Sequence, residues 1–269
     1  MTPRAVHGAA LRWHAAARPA IVVEVLAARG SVPRDAGTRM LVAADEVLGS
    51  IGGGHLELQA IATARQLLAQ GGAPKEHAVA LGPSLGQCCG GALTLRFSEL
   101  AVDNPRQWPL PPSLFELQLY GAGHVGRAIV NLLRGIDCQV RWIDEREDEF
   151  PSLPLPTHVE AVCTEPLQAE VAHAAPGTFY LVLTHSHDLD LAISQTILAR
   201  GDFGFFGLIG SQTKRARFEH RLLERGIPPA TLSRMVCPIG LPGLRGKQPE
   251  VLAVSVVAQL LMQQAPAGR

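Results

Sequence analysis

The sequence predicts an α/β protein: a C-terminal domain built on a parallel sheet, preceded by a smaller α+β N-terminal domain. Three observations carry this reading. Residues 115–144 run strand, glycine turn, helix, strand, acid. Thr178–Leu183 and Phe205–Ile209 are almost continuous apolar runs, the pattern of strands covered on both faces. Four prolines between Val102 and Ser113 mark a semi-rigid, extended break. The expected organisation is therefore a first domain over 1–100, a proline-rich linker over 101–113 and a second domain over 114–269.

The 115–144 stretch is the most informative. Leu117 and Leu119 alternate with polar neighbours, as in a strand. Gly121, Gly123 and Gly126 follow at G-x-G-x-x-G spacing. Ala128, Ile129, Leu132 and Leu133 recur at helical spacing, and Gly135 can end that helix. Gln139–Ile143 reads as the next strand, with Asp144 at its end. This is the dinucleotide fingerprint in its required context, so the second domain is Rossmann-like. In that motif Gly121 permits the turn, Gly123 lets backbone approach a phosphate, and Gly126 lets the helix pack close to the strand. Asp144 is placed to accept hydrogen bonds from a ribose. A nucleotide at this turn is thus one expected ligand. The alternative is that the glycines serve packing alone.

Bulk composition narrows the rest. Hydrophobic residues make up 47% of the 269, enough for a real core. Lys+Arg and Asp+Glu balance at 24 each, which argues against a general nucleic-acid binder. Glu24 interrupts the early apolar run, and Val251–Met262 is too short to span a bilayer, so no membrane association is expected. Five cysteines, an odd number, fit reduced thiols and a cytoplasmic location.

In the first domain, Ala5–Ala17 suits a helix and Ile21–Leu26 a strand. Arg29–Gly37 is a turn-rich loop. Thr38–Val42 and Glu46–Ile51 form a candidate hairpin. Gly52, Gly53 and Gly54 then open a helix that runs to about Ala69. Three glycines before a helix expose backbone N–H groups that suit an anion such as phosphate, with Arg34 and Arg39 as nearby charge. His55 at that helix start can cap it or bind an anion. His55 and Glu57 form H-x-E, but the matching P-C-x-x-C is missing, which rules out a zinc deaminase. Cys88 and Cys89 lie between glycines on a second loop, 81–91. Adjacent cysteines rarely pair with each other and rarely share a metal. They read as an accessible thiol pair able to meet a soft ligand or exchange sulfur. The other reading is buried cysteine used as a small hydrophobe.

In the second domain, His158–Val162 and Thr178–Leu183 are strands and Pro166–Ala174 a short helix. Thr184-His185-Ser186-His187-Asp188-Leu189-Asp190 follows the latter strand and should face the ligand crevice at the strand ends. It lacks the spacing of H-x-H-x-D-H metallohydrolases. Crevice lining by His185 and His187, with Asp188 capping the next helix, fits better. No metal site is expected. Lys214, Arg215, Arg217, Arg221 and Arg225 read as a solvated helix face.

Several of these strings, in this order, resemble the xanthine dehydrogenase accessory protein family, the XdhC/CoxI group. The resemblance rests on Arg29-Gly-Ser-Val-Pro-Arg34, Gly37-Thr-Arg-Met40, Gly49-Ser-Ile-Gly-Gly-Gly54 and Gln87-Cys88-Cys89-Gly90-Gly91 in the first domain. In the second it rests on Tyr120–Gly126, Thr184–Asp190, Gly207–Ser211 and Cys237–Gly240. It implies a carrier of the molybdenum cofactor (molybdopterin) rather than a catalyst. Such a carrier shields the cofactor while a cysteine desulfurase replaces an oxo ligand by sulfido, then delivers it to apo xanthine dehydrogenase, in purine catabolism. A homodimer is expected. The chain departs from the family at Gln259, where an acid is expected, and that weakens any role for the position. The competing reading is an NAD(P)-dependent oxidoreductase that uses the fingerprint, with His124, His185 or His187 as proton donor.

Overall fold

The computed structural model describes residues 1–71, 75–81, 91–244 and 246–263. The chain divides into two compact units, Met1–Pro112 and Ser113–Arg269.

The first unit is an antiparallel sheet with a helix on each face. Its strands are β1 (Ile21–Arg29), β2 (Arg39–Val42), β3 (Val47–Gly49), β4 (Lys75–Ala80) and β5 (Ala92–Glu99), in the order β3-β2-β1-β5-β4. Helix α1 (Pro3–Ala15) packs Val6, Ala9, Ala10 and Trp13 onto Val22 and Leu41. Helix α2 (Gly54–Gln70) packs Leu56, Ala60, Ala64 and Leu67 onto Ile21, Val23, Val25, Met40 and Val42. Successive strand residues point to opposite faces. Both faces are covered here, so β1 is apolar almost without alternation.

The proline-rich segment belongs to this unit and is no free linker. Pro105–Gln107 form a short 3-10 helix and Trp108 is buried. The Trp108 indole donates to Asp103 Oδ1 at 2.8 Å, and His7 Nε2 lies 2.9 Å from the Pro105 carbonyl. Arg4 Nη2 donates to the Pro111 carbonyl at 2.7 Å.

The second unit is a six-stranded parallel sheet: β6 (Glu116–Tyr120), β7 (Gln139–Asp144), β8 (Val159–Cys163), β9 (Phe179–Val182), β10 (Phe205–Leu208) and β11 (Met235–Val236). The order β11-β10-β9-β6-β7-β8 reverses direction at the β6/β9 junction, as in the Rossmann arrangement. Helices α3 (His124–Leu133) and α7 (Pro249–Met262) cover one face, around Leu117, Leu119, Trp142 and Leu181. Helices α4 (His187–Arg200) and α5 (Gln212–Glu224) cover the other, around Tyr120, Tyr180, Val182 and Phe206. A four-residue α6 (Pro229–Leu232) precedes β11. The expected helix near 166–174 is a 3-10 segment, Leu167–His173.

Candidate functional site

Three motif segments of the first unit line one cavity of about 450 Å³. Its walls include Arg34, Gly37, Arg39, Ser50, Trp108 and Pro111. Arg39 is set by register. It lies opposite Glu24 across β1/β2, and Arg96 lies opposite Glu24 across β1/β5. Glu24 is buried between the two arginines: Arg39 Nη2 donates to its Oε1 at 2.5 Å and Arg96 Nη2 to its Oε2. The Arg39 guanidinium also lies 4.8 Å over the Trp108 ring.

The glycine turn before α2 already holds a carboxylate, although no side chain caps the helix start. Glu57 Oε2 accepts from the Ile51 amide at 3.1 Å, the Gly53 amide at 3.1 Å and the Ser50 hydroxyl at 2.6 Å. The phosphate expected at Gly52, Gly53 and Gly54 therefore meets a carboxylate already in place. His55 sits on the exposed helix start, its Nε2 3.0 Å from Gln59 Nε2. Cys88 and Cys89 lie outside the described residues.

In the second unit the fingerprint stands at the β6/β9 switch point. Gly121 has φ +117°, and a Cβ there would meet the Leu183 carbonyl. A Cβ on Gly126 would meet the Gly121 carbonyl. These two glycines let the turn, α3 and the β9 end pack together. Gly123 differs: a Cβ on it would point into open space, and no side chain caps the α3 N-terminus.

Asp144 departs from its expected role. It is buried and fully engaged. Its Oδ2 accepts from the Ala122 amide at 2.7 Å and Arg146 Nη2 at 3.0 Å, and its Oδ1 from Arg146 N and Nε, both at 3.0 Å. All four acceptor positions are used, so the carboxylate braces the glycine turn rather than waiting for a ribose. Burial pushes its pKa up, but the Arg146 guanidinium and the Ala122 and Arg146 amides outweigh that and hold it below the usual carboxylate range.

His185 and His187 are both exposed at the crevice rim. His185 Nε2 lies 3.5 Å from Glu145 Oε1, which bridges the ends of β9 and β7. Ser186, not Asp188, caps α4. Asp188 is instead exposed, 3.7 Å from Arg221. Nor is the basic run on α5 wholly a solvated face. Lys214 is half-buried and pairs with the buried Asp190, with Nζ–Oδ2 2.5 Å, and donates to the Ile209 carbonyl at 2.8 Å. Asp190 also accepts from the Thr184 hydroxyl at 2.7 Å, so this pair ties the β9 and β10 ends together. Gln259 Oε1 accepts from the Gly240 amide at 2.8 Å. An acid could accept the same bond, so glutamine keeps the contact.

Four of these residues escaped the sequence reading in their actual roles. Glu57 was legible as an acid one turn into a glycine-started helix. Arg146 was legible only as a neighbour of Asp144. The Asp190–Lys214 pair spans 24 positions and left no local signal. Among the described residues no group of three or more His, Cys, Asp or Glu could hold a metal ion, and no helix is long and apolar enough to cross a membrane.

Comparison with known proteins adds the following. A sequence profile described as the XdhC Rossmann domain matches residues 117–260, and one described as the XdhC and CoxI family matches residues 13–78. A protein of Escherichia coli (strain K12), described as the uncharacterized protein YqeB, is 32% identical over 267 residues. That match covers 93% of this chain and 45% of the relative, so the chain spans about half the relative's length. A solved structure from Bacillus halodurans, described as a xanthine dehydrogenase, is 17% identical with a TM-score of 0.75, over 100% of this chain and 98% of that one. At that identity the likeness concerns the fold alone.

Proposed function

The chain belongs to the XdhC and CoxI family, and from that premise we propose that it is an accessory protein that carries the molybdenum cofactor to apo xanthine dehydrogenase. It holds the cofactor as cargo, shields it while a cysteine desulfurase exchanges oxo for sulfido, and then hands it on. The observation that carries this reading is the convergence of Arg34, Gly37 to Arg39 and Gly49-Ser50 on one cavity. These are segments by which the chain resembles the family, and the β2/β3 pairing brings them to one face of the unit. Such convergence is what a ligand site in the first unit requires. The Rossmann unit adds the Gly123 approach at the α3 start, which suits a phosphate-bearing group.

The oxidoreductase reading is weaker on one specific point. Asp144 is committed to Arg146 and the Ala122 amide, so the carboxylate that would read a nicotinamide nucleotide's ribose has no acceptor left. Titration with nicotinamide cofactors should give no saturable signal.

Anaerobic co-purification with cofactor analysis tests the carrier reading. Bound molybdenum and pterin in the purified protein support it; their absence after expression in a cofactor-competent host overturns it. Cys88→Ala with Cys89→Ala should lower the bound fraction. Unchanged loading in that double variant removes the thiols from the mechanism.

A further inference from the structure

We propose that Glu24 is a positioning residue, which fixes the Arg39 guanidinium so that one end of it stays presented to the first-unit cavity. Glu24 interrupts the apolar run of β1, where its neighbours Val22, Val23 and Val25 are all buried. A glutamate is almost never buried unless it is paired. Even when paired it loses its water, and apolar residues of similar volume often serve stability as well or better. Fold stability alone therefore does not account for a charge at this position.

Strand register gives Glu24 its two partners, Arg39 on β2 and Arg96 on β5, and each takes one of its oxygens. From there the contacts close into a ring. Arg96 lies 3.9 Å from Asp103, the Trp108 indole donates to Asp103, and the Arg39 plane lies over the Trp108 face. The two arginines balance Glu24 and Asp103, so the ring is neutral. Every part of Arg39 then has its own place. Nη2 is held by Glu24 at 2.5 Å, and Nε is shielded from solvent. Nη1 reaches only the Gly37 carbonyl, at 3.4 Å, and is the least committed donor. Arg39 and Gly37 both line the cavity, so Nη1 is the end offered there.

Among the described residues Glu24 is the only ion-pair partner of Arg39. Without its charge, Arg39 and Arg96 would stand as uncompensated like charges on either side of β1, and like charges so placed repel. Removing Arg96 instead leaves Glu24 and Arg39 as a neutral pair. The two losses therefore differ in what they do to Arg39. The inference rests on the carrier reading only for the use made of the offered donor; the fixing of Arg39 is open to test without a ligand.

The first test is arginine modification of the full chain by phenylglyoxal, read residue by residue by mass spectrometry. In the wild type the exposed Arg34 should react readily and Arg39, with a side chain 10% exposed, slowly. Glu24→Gln should raise the reactivity of Arg39 on the order of tenfold. Arg96→Gln should leave Arg39 as slow as in the wild type. If Glu24→Gln fails to fold by circular dichroism, Glu24→Gln combined with Arg96→Gln removes the repulsion and carries the same expectation. An Arg39 that stays slow in the folded Glu24 variant, or becomes equally fast in Arg96→Gln, overturns the proposal. The second test is a double-variant cycle on molybdenum and pterin loading. Glu24→Gln should lower loading as much as Arg39→Gln does, and the two together no further. Additive losses would show that Glu24 does not act through Arg39 and would equally overturn it. An unloaded wild type sinks the carrier reading instead, and the modification result then decides the role of Glu24 alone.

Discussion

The two glycine-rich helix starts look alike in sequence and behave differently in structure. At Gly52 to Gly54, the Glu57 carboxylate turns back and takes the Ile51 and Gly53 amides. At Gly121 to Gly126, Asp144 takes only the Ala122 amide, and no side chain caps α3. Both helix starts lack a side-chain cap, but the first turn places its carboxylate on the residue just before the helix and the second places it one residue further back. A glycine run before a helix thus announces free N–H groups without saying who will use them. What differs is which turn amides the chain's own acid takes, Ile51 and Gly53 in the first and Ala122 in the second.

The contrast is broken most easily at the packed glycines. Gly126→Ala drives a Cβ onto the Gly121 carbonyl, a backbone atom that cannot swing away. We expect a loss of about 3 kcal/mol or more, read from urea unfolding of the second unit. A stability equal to wild type would mean that the turn is looser than described.

Asp144→Asn comes next, at about 2–3 kcal/mol, because it removes the charge that four donors surround. The pH dependence has a definite sign. The native pKa of Asp144 is depressed, so its stabilisation is present above the unfolded value of about 3.9 and fades as pH falls through the native value. Wild type and Asp144→Asn should therefore differ at pH 7 and converge in strong acid. Urea midpoints across that range check it, and a constant gap down to low pH would refute the assignment.

Glu57→Ala reads the other turn. It should cost about 1–2 kcal/mol, for one carboxylate that satisfies two amides and a hydroxyl. It should also free the Ile51 and Gly53 amides for an external anion, so phosphate should raise the thermal midpoint of the variant more than that of the wild type. Equal phosphate response in both proteins would show that Glu57 does not close the turn.

Legibility followed the range of the interactions. The Rossmann unit was readable because strand, turn, helix and acid lie within thirty residues and each has a local cause. Strand β1 was readable as a strand from its apolar run. Strand β4, Lys75–Ala80, went unseen: it is an edge strand, mostly exposed, with little apolar pattern to betray it. The proline-rich segment was misread as an extended linker because its anchors are distant, with His7 and Arg4 supplied by α1. Its tryptophan was the overlooked clue, since a large apolar side chain rarely belongs to a free linker. The cavity was half legible. Arg34 and Arg39 were both named from charge alone, whereas the meeting of Arg39 with Trp108 follows only from the sheet register and the 101–112 docking. The Asp190–Lys214 pair joins two helices and had no pattern to follow.

The smallest expected effect on stability tests the open turn most directly. Gly123 has φ −68°, ordinary for any residue, and an added Cβ would touch nothing within 4 Å. Gly123→Ala should therefore change unfolding free energy by less than about 0.5 kcal/mol. If the α3 start approaches a phosphate, the same methyl would stand between ligand and backbone, and binding of a phosphate-bearing ligand to the second unit should fall while stability does not. If Gly123→Ala destabilises like Gly126→Ala, the glycine serves packing. If it leaves both stability and phosphate binding untouched, the open helix end has no ligand, and the second unit is a scaffold for whatever the first unit carries.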